Sequence, residues 1–206
     1  VNMSRVTGIN GADAGDLARA EIVAQQQVFA LADFLRRFVP GFENSYLLET
    51  AATLGVRETR RLRGRHVLSG REAIDCVPFA DVVAHGSYII DIHDPLGRRK
   101  AIGGEIKGDC YDIPYRALLP RTVENLLVAG RCISTDHVAH SSTRVQGTCM
   151  LTGQAAGTAA AMACARGCGP ADLAVPELQE ALIRDGVLLC RRTAPTAPSA
   201  PPPGVA

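Results

Sequence analysis

Between Thr148 and Ala165 the chain runs eighteen residues without a charge, seven of them alanine and two glycine. Alanine favours helix because it loses no side-chain entropy there, so the stretch Val145 to Arg166 is expected to be one helix. Side chains this small bury little apolar area each, and such a helix is useful only where something comes very close to it. Gly153 and Gly157, four apart, mark the side where another backbone or a flat ligand would fit. Upstream, Leu126 to Ala129 is a short apolar run ended by Gly130, as expected of a strand buried on both faces of a parallel sheet. A polar loop, Arg131 to Arg144, links the two. Strand, polar loop and uncharged helix together bring the positive end of a helix beside an electron-rich ligand.

The rest of the chain is punctuated conventionally. Asp16 is read as an N-cap, and apolar residues from Ile22 to Phe38 recur at helical spacing until Pro40-Gly41. A short helix is expected over Ser45 to Leu54, closed by Gly55, and another from Ser69, where Ser69 and Glu72 have the spacing of a capping box. Val56 to Arg63 reads as a strand with charges on both faces, suited to an anion or to a solvated sheet edge. Ser87 to His93 alternates as a strand ahead of the turn Asp94-Pro95-Leu96-Gly97, and Tyr111 to Arg116 continues extended because of Pro114. A last helix carries Pro176 at its start and Gly186 past its end, and residues 193–206, with five prolines, are expected to be a disordered tail.

Composition removes several classes of function. With 22 basic and 21 acidic residues the net charge is +1, so no basic face is expected to draw nucleic acid. Seven cysteines, without paired short spacings, suit free thiols in a reducing compartment and a cytoplasmic protein. Cys132, His137, His140 and Cys149 lack the tight pairs of a zinc site, and no metal is expected. The eighteen-residue stretch is too rich in Ala, Gly and Thr, with Gln154 inside it, to read as a membrane span. The opening residues show no basic segment followed by an apolar one, so no secretory leader is expected.

Taken in order, GVRETRRLRG, YIIDIHDP, YDIPYRALLP, NLLVAGRCIS and STRVQGTCMLTGQAAGTAAA resemble the carboxy-terminal half of FAD-dependent oxidoreductases, which are distantly similar to fumarate reductase flavoproteins. The resemblance runs from about Arg5 to Leu189 and implies an α/β fold: an α+β substrate domain over residues 1–120, and the closing strand, loop and helix of a Rossmann-like FAD-binding domain over 121–166. A C-terminal helix and strand would occupy 167–192. It implies that Gly130, Arg131 and Cys132 lie near the cofactor's ribityl and phosphate region, and that Val145, Gln146, Gly147 and Thr148 face the pyrimidine edge of the isoalloxazine. Arg144 would then charge the flavin or clamp a substrate carboxylate, and Arg57, Arg60 and Arg61 would suit an anionic substrate.

The same resemblance implies hydride transfer between an organic small-molecule substrate and flavin. His137 and His140, beside Asp136, are the acid/base candidates because imidazole titrates near working pH. Ser141, Ser142 and Thr143 read as loop and cap hydroxyls, and Tyr111 and Tyr115 as packing residues. The family's G-x-G-x-x-G turn has no counterpart here, since neither Gly8 to Gly15 nor Gly103 to Gly108 has its spacing. Weak or absent FAD binding by the chain alone is therefore expected, with an N-terminal FAD-binding chain as partner. The alternative is a truncated or accessory chain without catalysis of its own.

Overall fold

The computed structural model describes residues 3–92 and 102–189. His93, the turn at Asp94 to Gly97, the end of the C-terminal segment beyond Leu189 and the proline-rich tail lie outside the described residues. The chain divides into two units, one formed by residues up to Arg60 and one from Arg61 onward. Helices and small antiparallel sheets make the fold mixed α/β.

The first unit is built on one long helix, α1 (Ala14–Phe38). Its N-cap is Asp13, whose carboxylate accepts from Asp16 N–H at 2.8 Å, so the cap stands three residues earlier than expected. Arg36 and Arg37 in the last turn oppose the negative end of the dipole, and Arg37 pairs with Asp33 at 2.9 Å. Residues 45–54 do not form the expected helix. A ten-residue helix needs a packed apolar face to offset its nucleation cost, and here Tyr46 and Leu48 stay exposed while Leu54 N–H is held by the Glu21 carboxylate.

The second unit holds the core. Strands β1 (Val82–Gly86) and β4 (Tyr111–Pro114) pair antiparallel, with His85 opposite Asp112 and Gly86 opposite Tyr111. Any side chain at Gly86 would collide with the Tyr111 ring. A second ladder joins β2 (Ile90–Ile92) to β3 (Ile102–Gly104). The strand expected over Ser87 to His93 is therefore shorter, and Tyr111 to Arg116 is extended only to Pro114 before a 3₁₀ turn over Tyr115–Ala117.

Helix α2 (Gly70–Ile74) opens on the expected capping box: Ser69 Oγ accepts from Glu72 N–H, and the Glu72 carboxylate accepts from Ser69 N–H at 2.8 Å. Helix α4 (Gln146–Arg166) buries Thr148, Thr152, Ala155, Ala159 and Ala163 along one stripe, packed on β1 and on α5 (Val175–Arg184). Gly153 and Gly157 stand on an open side with nothing within 4 Å of where a Cβ would be. No described helix is long and apolar enough to cross a membrane.

Two expectations fail in this unit. Leu126 to Ala129 is not a strand: it makes a single ladder-like bond, Val128 N–H to Leu118 C=O at 2.9 Å, and Leu126 is 44% exposed. An apolar run becomes a parallel strand only with partners on its edges, and both described sheets are antiparallel pairs formed elsewhere. Val56 to Arg63 is not a strand either: none of its residues is fully buried and none pairs with a described sheet. Beyond Arg60 the chain is stitched by Leu62 N–H to Cys132 C=O at 2.8 Å and by an antiparallel bridge between Gly64 and Pro120, in which Arg65 N–H donates to Leu119 C=O at 2.9 Å and Arg121 N–H to Arg63 C=O at 3.0 Å.

Candidate functional site

The segment read as a polar loop is largely helical. Gly130–Cys132 forms a 3₁₀ turn, and His137–Thr143 forms helix α3. Asp136 caps α3, accepting from Ala139 N–H at 2.7 Å, and its other oxygen accepts from Gly70 N–H at 2.8 Å at the start of α2. One carboxylate thus ties two helix starts together, which is a structural use and not an acid/base one.

Helix α3 buries what a loop would have exposed. Ser141, Ser142 and Thr143 are buried, His140 is 2% exposed, and His137, in the first turn, is exposed. The two candidate imidazoles therefore occupy different environments. Ser142 Oγ donates to Tyr88 C=O at 2.5 Å and accepts from the Tyr111 hydroxyl at 2.7 Å. Burial pushes the Tyr111 phenol up to about 12, so it serves as a fixed donor.

Arg144 ends α3 and immediately precedes Val145, the N-cap of α4. Val145 has no side chain able to cap, and the first-turn residues Gln146 and Gly147 are exposed, with nothing within 4 Å of a Cβ built on Gly147. Thr148, by contrast, faces the core. The head of α4 thus presents main-chain N–H groups without a side-chain cap, the electropositive end of a 21-residue helix. Beside it, Arg144 Nη2 lies 3.2 Å from the Asp91 carboxylate on β2.

Gly130 adopts φ +72°, the left-handed region that favours glycine, and its N–H donates to Thr152 Oγ1 on α4 at 3.0 Å. This bond brings the 3₁₀ turn, with exposed Arg131 and Cys132, against the second turn of α4. Cys149 packs there as well, its thiol 3.4 Å from Arg144 C=O, and burial pushes that thiol's pKa up. Gly130, Arg131, Cys132, Arg144, Val145, Gln146 and Gly147 are thus gathered around one helix end.

The arginines of the charged segment are divided. Arg57 and Arg60 are exposed in the first unit, whereas Arg61 in the second donates to Thr135 C=O at 2.5 Å. For Arg61, one N–H fastens the chain to the segment leading into α3.

Sequence reasoning passed over two features. Asp91, inside the strand expected over Ser87 to His93, is the carboxylate at Arg144. His85 and Asp112, opposite one another on β1 and β4, form a buried pair with Nδ1 3.3 Å from Oδ1. The hydrogen bond to Asp112 draws the His85 imidazole's pKa up against the opposing effect of burial. Strand alternation could have placed both residues on one face, but no sequence signal gives their register.

Compared with known proteins, the chain matches one family profile, described as FAD dependent oxidoreductase, over residues 1–182. No curated protein and no solved structure matches it.

Proposed function

The chain belongs to the FAD dependent oxidoreductase family, and on that premise we propose that the elbow between α3 and α4 is its flavin-facing part, in an enzyme exchanging hydride between an organic substrate and FAD. Membership gives the chain a flavin oxidoreductase role. The observation that carries the finer reading is the uncapped head of α4 with Arg144 beside it.

The donor set fits the group. Flavin, when bound, supplies two-electron chemistry and gains negative charge along its pyrimidine edge on reduction. The N–H groups of Gln146 and Gly147 offer the partial positive charge that favours such an edge, worth about 0.3–1 kcal/mol at an exposed helix end. Gly147 and Gly130 carry no side chain that would hold a planar ligand away. Arg144 orients an anion by directed N–H donors, either at the ligand's edge or on a substrate carboxylate. We assign proton exchange with a substrate to His137 over His140, on the ground that it is the exposed one of the two imidazoles.

The open side of α4 at Gly153 and Gly157 supports a companion reading, in which further FAD-binding polypeptide covers that side. It leaves the role of the elbow unchanged.

The test is anaerobic reduction of the flavin in the full-length protein by a panel of small organic acids. Arg144→Ala is expected to slow reduction about 100-fold with flavin content unchanged, and to lower the thermal midpoint because the Asp91 carboxylate loses its partner. A mutant reduced at the wild-type rate removes Arg144 from the site.

A further inference from the structure

Asp91 is held in place more firmly than a surface ion-pair partner. Its backbone N–H donates to Ser141 Oγ at 3.2 Å, and Ser141 Oγ in turn donates to Val138 C=O at 2.7 Å inside α3. The next serine, Ser142, binds Tyr88 C=O at 2.5 Å just before β2. Two consecutive hydroxyls in the last turns of α3 therefore clasp the segment that carries Asp91.

The clasp delivers two acceptors to a single nitrogen. Arg144 Nη2 lies 3.2 Å from Asp91 Oδ2 and 3.4 Å from Asp91 C=O. The two side chains are only 15% and 20% exposed, so water screens the pair weakly compared with a pair on the surface. A guanidinium with a carboxylate fixed against it presents directed N–H donors while most of its long-range charge is offset.

We infer that Asp91 is the positioning residue for Arg144: it aims the guanidinium and sets how much positive charge reaches a ligand at the head of α4. The inference rests on the reading of that helix end as flavin-facing and adds the residue that tunes it. Changing a purely structural Asp91 would weaken the site or leave it unaltered. A charge-setting Asp91, replaced by its neutral isostere, strengthens the site for anions, because asparagine still accepts from Nη2 but no longer offsets the charge.

Sulfite is the probe, since it adds to N5 of oxidised flavin and gives an anionic adduct, read as bleaching of the flavin band without any substrate. In the FAD-loaded full-length protein, Asp91→Asn is expected to tighten sulfite binding about tenfold and Arg144→Gln to weaken it about tenfold. Asp91→Glu, which restores the charge, should stay within about twofold of wild type, and the Asp91→Asn/Arg144→Gln double variant should match Arg144→Gln alone. If Arg144→Gln weakens binding while Asp91→Asn leaves it unchanged or weaker, the charge-setting role is overturned and the flavin-facing elbow stands. If neither single variant alters sulfite affinity, the elbow reading falls and this inference falls with it. Should Asp91→Asn fold poorly, Asp91→Glu decides: an affinity far from wild type in a protein with an unchanged thermal midpoint overturns the proposal.

Discussion

A single carboxylate, Asp136, shows how a residue's chemistry and its use come apart. Its two oxygens accept from Ala139 N–H and Gly70 N–H, so it is fully engaged in starting α3 and in holding α2 against it. Gly70 itself leaves no room for a side chain, because one there would strike Val138. Asp136→Ala is expected to lower the unfolding free energy by about 1–2 kcal/mol, the usual cost of an N-cap plus a second donor left without its acceptor. Urea unfolding checks this, and a loss below about 0.5 kcal/mol would show that water replaces both bonds. The histidines downstream were legible as titratable groups. Which of them water reaches was not, because that depends on the face of α3 turned to the core.

At the scale of elements, α4 is the part the sequence described best. Its span and its small-residue stripe appear as expected, because alanine-rich sequence specifies helix locally and Gly167, at φ +62°, ends it. The open side makes its own prediction. Glycine within a helix costs conformational entropy that alanine does not, and a Cβ added at Gly153 or Gly157 would meet nothing within 4 Å. Each Gly→Ala change should therefore raise stability by about 0.5–1 kcal/mol in this chain, measured by chemical denaturation. A loss instead would mean that another polypeptide already lies against that side. The opposite lesson comes from α3, hidden in a stretch whose histidines and serines looked like loop residues. Asp136 was its one local signal, and α3 is held by burial of Ala139 and by the hydrogen bonds that Ser141 and Ser142 make.

For the molecule as a whole, burial is uneven between the two units. In the first, Ala20 is the one fully buried apolar residue among those described, while Ile22, Phe29 and Phe38 on the same helix are exposed. In the second, Leu68, Val83, Ile113, Tyr115, Leu118, Ile133 and Leu178 close a continuous core. Hydrogen exchange should follow that division: α4 amides near Ala155 and Ala159 are expected to exchange roughly two orders of magnitude more slowly than those of α1. Comparable protection in both helices would refute it. The sequence by itself determined the elements whose cause is local: α1, the capping box of α2, α4, α5, and the glycine and arginine types at the candidate site. Only the tertiary structure decided that Leu126 to Ala129 forms no strand and that β1 pairs with β4 so that His85 meets Asp112. It alone brought Asp91 to Arg144, 53 positions away. The reason is physical: helix caps and propensities act within a turn of chain, whereas strand register and ion pairing depend on which distant surfaces bury one another.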